Sequence, residues 1–231
     1  LSGTRLTDGS YDILLITKHG MAIRFKEKDV RPMGRSSTGV IGIRLDEDDQ
    51  VISMVPYFEN TALLVVTVNG FGKRTDLDEY KVQTRGGKGV LTYRVTEKTG
   101  PLAGAMSVSE DDDIMLISSD GTIIRMNVDE ISVLSRVTQG VTLMRTSEEN
   151  RVVSLARISA AVKANEAEEN EEREEAEREK EEEEREESEG EETEADREET
   201  AEEKNDKLQK TEQETERSGN GTGNDKNDEE E

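Results

Sequence analysis

The residues with the most chemical potential lie in one loop, Gln83-Thr84-Arg85-Gly86-Gly87-Lys88-Gly89. Three glycines within four positions permit left-handed backbone angles and close approach by another molecule. Arg85 and Lys88 add two cations, which suit the phosphates of a nucleic-acid backbone. A phosphate-binding loop of the Walker A type is excluded, because no Lys-Ser or Lys-Thr pair follows a glycine at the required spacing. In isolation the same residues also describe a tight turn with solvated charges. The place of the loop within the chain decides between the two.

That place is inside a repeat. Gly20, Gly70 and Gly121 each follow an apolar run, and nineteen positions later stand Gly39, Gly89 and Gly140, each followed by valine. Arg35, Arg85 and Arg136 precede this second glycine by four, and Arg44, Arg94 and Arg145 follow it by five. Arg24, Arg74 and Arg125 follow the first glycine by four, and Asp29, Glu79 and Glu130 by nine. The unit is 50, then 51 residues long. Self-similarity at such a period marks arrays of stacked units.

Each unit reads as four short strands. The first is Ile13–Thr17, Leu63–Thr67 and Ile114–Ser118. His19-Gly20, Asn69-Gly70 and Asp120-Gly121 turn the chain, and the last two are strong hairpin signals. The return strands are Met21–Phe25, Phe71–Arg74 and Thr122–Met126. A third strand is expected within Val40–Leu45, Val90–Val95 and Val141–Arg145, and a fourth within Val51–Val55, Leu102–Met106 and Val152–Ala156. Glu27–Arg31, Leu77–Lys81 and Val128–Ser132 suit a helical turn. Four strands per unit at this period predict an all-β, propeller-like array. A blade cannot bury both faces alone, so neighbours stack. The expected divisions are a remnant of an earlier unit in 1–10, blades at about 11–60, 61–111 and 112–160, and an acidic tail from 161 to 231, disordered or partly helical. Three units do not close a ring, so further blades are expected before Leu1.

Charge divides the chain in the same place. Residues 1–160 hold 20 basic and 22 acidic residues, whereas 161–231 hold 11 and 33. The first part can build a core; the second lacks the apolar residues to do so. Glu169/Arg173, Glu174/Arg178 and Glu181/Arg185 are spaced to support a solvated helix. No cysteine is present, which excludes a disulfide framework and a zinc-thiolate site. No apolar run approaches the length of a membrane-spanning helix.

Residues 1–160 resemble the C-terminal domain of the bacterial DNA gyrase A protein, part of a type IIA topoisomerase. The motifs are Lys18–Phe25, Val30-Arg31-Pro32-Met33-Gly34-Arg35, Gly70-Phe71-Gly72-Lys73-Arg74-Thr75, Gln83–Gly89 and Arg136–Val141. The resemblance implies a β-pinwheel, a propeller relative whose blades exchange strands, of which this chain would be the C-terminal half, about three of six blades. It implies a domain that binds and wraps double-stranded DNA to support ATP-dependent negative supercoiling. The partners implied are the rest of gyrase A and, in an A2B2 assembly, gyrase B, in the bacterial cytoplasm beside the chromosome and not at a membrane. Gln83–Gly89 departs from the family's basic box at Thr84 and lies in a later blade, so it reads as a secondary copy. The family's strand-cleaving tyrosine lies in another domain, so no catalytic residue, metal or cofactor is assigned here; ATP and Mg2+ would act elsewhere in the parent enzyme. The equivalent domain of topoisomerase IV is the nearest alternative, and a protein-binding propeller unrelated to DNA the next.

Wrapping requires cations spaced along a curved surface. The candidates for DNA contact are Lys26, Lys28, Arg31, Arg35, Lys73, Arg74, Lys81, Arg85 and Lys88. A recurring base and a recurring acid also suit a structural pair within each blade, as Arg35, Arg85 and Arg136 with Asp29, Glu79 and Glu130. Non-recurring cations, such as Lys26, Lys73, Lys81 and Lys88, are the better phosphate contacts on this reasoning. His19 is the only histidine and sits in a hairpin turn, which argues against histidine-based catalysis. Asp46–Asp49 and Glu110–Asp113 lack calcium-loop spacing and read as solvated loops. The acidic tail reads as solubilising, or as a tethered polyanion that competes with DNA.

Overall fold

Each repeat opens with a strand that has no polar face. These are β1 (Asp12–Thr17), β4 (Ala62–Thr67) and β8 (Asp113–Ser118), and nearly every residue in them is buried. A strand with both faces covered reads as a continuous apolar run rather than an alternating one. The hairpins at Gly20, Gly70 and Gly121 return the chain as β2 (Met21–Lys26), β5 (Phe71–Asp76) and β9 (Ile123–Asn127). The computed structural model describes residues 3–147, 149–178 and 180. The chain divides between Glu166 and Ala167 into two units.

Each opening strand also pairs antiparallel with the last strand of its own repeat: β3 (Val51–Pro56), β7 (Leu102–Val108) or β11 (Val152–Ile158). The remaining strands are two residues long and cross between repeats. β6 (Val90–Leu91) belongs to the second repeat by sequence but pairs with β2 of the first. β10 (Val141–Thr142), from the third repeat, pairs with β5 of the second. The sheets therefore run β3-β1-β2-β6, β10-β5-β4-β7 and β11-β8-β9. β3, β7 and β11 lie at one edge and pack in succession, joined by a bond from the Ala105 amide to Ser53 Oγ at 3.0 Å. β6 and β10 lie at the opposite, outer edge.

The cores lie between successive sheets. β4 shows why: Leu63 and Val65 join Leu14, Ile16, Tyr80 and Tyr93 on one side, while Leu64 and Val66 join Ile114, Leu116, Ile131 and Met144 on the other. Alternate residues of one strand thus serve two interfaces, as the two-residue period of a strand requires.

The expected third strand is the part that changes. Residues 40–45 form no strand, and Ile41 is 69% exposed. The equivalent strands pair with the sheet of the preceding repeat, and no such sheet is present for the first repeat among the described residues. The helical turns appear as short 3-10 turns at Glu27–Asp29 and Leu77–Glu79. In the third repeat only the corresponding bond forms, from the Ile131 amide to the Val128 carbonyl at 3.0 Å.

Residues 160–166 are helical and close the first unit. Lys163 Nζ lies 2.6 Å from Asp113, and Glu166 lies 2.8 Å from Arg125. In the second unit residues 167–178 are helical, and Arg178 pairs with Glu174 at 3.3 Å. The Glu181/Arg185 spacing and the rest of the acidic tail lie outside the described residues. Among the described residues, no helix is long and apolar enough to cross a membrane.

Candidate nucleic-acid interface

Strand exchange carries the glycine-rich loop to the outer edge. The loop leads into β6, so it is delivered onto the first sheet rather than its own. The Gln83 amide donates to the Arg24 carbonyl at 2.7 Å, the Gly86 amide to the Gly42 carbonyl at 2.6 Å, and the Arg44 amide to the Gly87 carbonyl at 2.8 Å. A Cβ on Gly89 would stand 2.3 Å from the Ala22 carbonyl oxygen, and one on Gly140 would stand 2.3 Å from that of Gly72. The recurring second glycine is therefore a close-approach residue, where one blade's chain crosses the preceding blade's backbone. Gly39, which crosses nothing, has open space around it.

The candidate cations separate into groups. Lys28, Arg31, Arg35 and Lys81 are exposed and form no ion pair among the described residues. Lys88 is exposed and 2.6 Å from exposed Asp46. An exposed pair is worth only about 0–1 kcal/mol, so exchanging Asp46 for a phosphate costs little. Lys26 is half exposed and 3.2 Å from Asp12, which also binds Arg24 at 2.9 Å. Arg85 donates to the carbonyls of Asp29 and Ile41, both at 3.0 Å. Carbonyls orient the guanidinium without cancelling its charge.

Lys73 and Arg74 do not fit the expectation of phosphate contact. Lys73 is fully buried, and its ammonium donates to the carbonyls of Ser135 and Arg136 at 2.6 and 2.5 Å. Burial pushes its pKa down to about 8, partly offset by the Glu79 carboxylate. Arg74 is 5% exposed and donates to the carbonyls of Ile131 and Asp129 at 2.7 and 3.1 Å, with Glu110 at 3.4 Å. Both side chains lock the second repeat to the turn of the third. Arg24 does the same one repeat earlier, reaching the carbonyls of Leu77 and Tyr80 at 3.3 and 3.2 Å. A signal for Lys73 does stand in the repeat: Ile23 and Ile124 hold the equivalent position, which marks it as interior.

The pairing of recurring acid and base also differs from expectation. It runs between blades, not within one. Arg136 Nε lies 3.6 Å from Glu79 of the preceding repeat, and the Arg136 amide lies 3.2 Å from the same carboxylate. Arg85 likewise reaches back to the main chain at Asp29.

The tyrosines serve packing. Tyr80 and Tyr93 are buried, which raises both pKa values to about 12, and their hydroxyls bond to Thr92 and to the Gln139 carbonyl. Tyr57 lies under the Arg24 guanidinium at 3.6 Å and donates to Asp78 at 2.7 Å. In the acidic runs, Asp49 accepts from the amides of His19 and Gln50, at 3.0 and 2.9 Å. Asp112 accepts from the amides of Ser109 and Ala160, at 2.8 and 3.2 Å.

A profile of the family described as DNA gyrase C-terminal domain, beta-propeller, matches residues 11–57, 61–109 and 112–159. The DNA gyrase A protein of Salmonella typhimurium is 46% identical over 168 residues, a stretch covering 73% of this chain and 19% of that protein. This chain therefore spans about a fifth of the length of the curated relatives it matches. A solved DNA gyrase A C-terminal domain superposes with a TM-score of 0.63 at 28% identity, covering 66% of this chain and 52% of the other. The C-terminal domain of DNA topoisomerase IV superposes with a TM-score of 0.65, also at 28% identity, covering 72% and 53%.

Proposed function

This chain belongs to the DNA gyrase C-terminal domain family, and from that membership we propose that it binds and wraps double-stranded DNA for a type II topoisomerase. The observation that carries the reading is the delivery of the 83–89 loop to the outer edge by strand exchange. There Arg85 binds the carbonyls of Asp29 and Ile41 and Lys88 meets Asp46, so both stand beside the segment of the first repeat that carries exposed Lys28, Arg31 and Arg35. Such cations release counterions from the duplex and bind it without reading its sequence. Curving a short duplex by tens of degrees costs about 1–6 kcal/mol, which contacts along the edge must offset.

In the parent enzyme the domain would serve ATP-dependent negative supercoiling, with the rest of gyrase A and with gyrase B as partners, in the cytoplasm. ATP and Mg2+ would act in other domains, and this chain would contribute no catalytic residue. The gyrase assignment is favoured over topoisomerase IV because the curated relatives at 46% and 44% identity are gyrase A proteins. The two solved domains do not discriminate, since both are 28% identical to this chain.

A gel-shift titration with a linear duplex of mixed sequence tests the reading. Affinity should fall steeply and linearly on a log–log plot as salt rises, with little preference among sequences. Absence of binding at about 50 mM salt, the regime where phosphate contacts are strong, would favour a protein-binding propeller instead.

A further inference from the structure

The strands that open the three repeats do not begin alike. β1 and β8 begin with Asp12 and Asp113, whereas β4 begins with Ala62. Each aspartate binds the recurring arginine of its own repeat: Asp12 lies 2.9 Å from Arg24, and Asp113 lies 2.8 Å from Arg125. Arg74 has no such partner. Among the described residues its one carboxylate is Glu110 at 3.4 Å, on a side chain that is 78% exposed. The residue beside this position changes as well. In the first repeat it is Tyr57, whose amide donates to the Asp12 carbonyl at 2.9 Å and whose ring covers the Arg24 guanidinium at 3.6 Å. In the second repeat Val108 pairs with Ala62, and no aromatic ring covers Arg74 among the described residues.

A cavity of about 550 Å3 lies where these two groups are lacking, with Ala62, Val108 and Arg74 in its wall. That volume is in the range of small-molecule sites. Arg74 keeps only 6% of its side chain exposed. Its Nε and Nη2 are held by the carbonyls of Ile131 and Asp129, so Nη1, with Glu110 alone as partner, is the end left for the cavity. Tyr57 and Val133 line the sides, and exposed Asp76, Asp78 and Asp111 stand around the mouth. A simple anion drawn to Arg74 would be repelled by those acids. A molecule with both a carboxylate and an ammonium group would not.

We propose that this cavity binds a free aromatic amino acid. The first repeat supplies the template, since there the chain itself gives the arginine a carboxylate and a ring. In the second repeat the ligand brings both. Its carboxylate takes Arg74 Nη1 from Glu110, a loose and solvated partner. Its ring lies on the guanidinium beside Val108 and Val133, as arginine stacks on aromatic faces. Its ammonium faces Asp76, Asp78 and Asp111 at the mouth. The cavity is walled by the ends of β4, β5 and β7, so it lies apart from the outer edge formed by β6 and β10. It is independent of the DNA-binding reading.

The test titrates L-phenylalanine into the whole 231-residue chain and follows the heat of binding. One site with a Kd of about 1 mM or tighter is expected for a ligand of this size. L-Phenylalaninamide, which lacks the carboxylate, and L-alanine, which lacks the ring, should each bind about tenfold more weakly or worse, the loss expected for one charged or stacked contact. Ala62→Asp returns the missing carboxylate to the chain and should abolish binding while a cooperative melting transition is kept. Glu110→Gln, at an exposed side chain, removes the competing acid and should tighten binding severalfold. No binding at about 10 mM ligand, well above the expected Kd, overturns the proposal. Binding that survives Ala62→Asp, or that weakens in Glu110→Gln, overturns it too. So does equal affinity for L-phenylalanine and its amide, since the carboxylate would then not reach Arg74.

Discussion

β5 and β9 hold the same place in two successive repeats, yet one is buried from Gly72 to Thr75 and the other exposes every second residue. The residues do not explain the contrast, because Ile123 and Ile124 are at least as apolar as the residues of β5. The neighbour does. β10 pairs along β5, and Leu143 packs so closely that a Cβ on Gly72 would stand 2.4 Å from its Cδ1. β9 has no such strand beside it among the described residues, and Ile123 is 53% exposed. Arg74 and Arg125 repeat the lesson. The first is buried against the following turn, while the second is 43% exposed and pairs with Asp113 and with Glu166 of the helix that begins at residue 160. Burial in this fold is supplied by the next repeat along the chain.

The largest test of that contrast is steric. Gly70 and Gly121 both have left-handed backbone, at φ values of 76° and 85°. A side chain costs each about 1–2 kcal/mol on that ground. Only Gly70 is crossed by the next repeat: its Cβ would lie 2.0 Å from the Met144 carbonyl oxygen, whereas Gly121 has nothing within 4 Å. Gly70→Ala should therefore lose roughly 3 kcal/mol or more in urea unfolding, in the range of severe point changes, and Gly121→Ala should lose only the backbone cost. Equal losses would break the comparison.

Arginine removal is the next test. Arg74→Ala leaves the buried Ile131 carbonyl without its donor and removes the bond to Asp129, which should cost about 3 kcal/mol. Arg125→Ala removes a partly solvated pair and should lower the melting temperature by less.

A smaller effect is confined to a window of pH. Burial holds Lys73 near pKa 8 in the folded chain, against 10.5 for a free lysine. Between those values the unfolded chain binds more protons, so this group adds stability as pH rises. Tyr80 and Tyr93, held near 12 against 10.0, act in the opposite sense once the pH passes 10. Stability of the unaltered chain relative to Lys73→Met should rise from pH 8 to 10. Parallel curves across that window would show that Lys73 keeps its ordinary affinity for protons.

The fold was legible where chemistry is local. Asn69-Gly70 and Asp120-Gly121 reported their hairpins, and the apolar runs reported the central strands. The repeat of Gly39, Gly89 and Gly140 reported a unit of fixed length. Partner choice was not legible. A two-residue strand such as Val90–Leu91 carries no mark of the sheet it will join, so pairing within a blade was the natural expectation for Arg136 and its acid. In the candidate site the loop's tight, close-approach backbone was legible from its glycines, whereas the burial of its neighbouring cations was not legible from charge. Charge alone placed Lys73 and Arg74 on the surface; the mark against Lys73 lay in the repeat, where Ile23 and Ile124 hold its position.

Whether the outer edge curves a duplex can be read directly from DNA topology. A nicked circular duplex is sealed by ligase in the presence of increasing amounts of the chain, the protein is removed, and the linking-number distribution is resolved on a gel. Wrapping predicts a shift of the distribution in one direction, growing with protein and fading as salt is raised. A distribution that stays centred where gel shifts show the DNA fully bound would contradict it, leaving a surface that binds DNA without bending it around the blades.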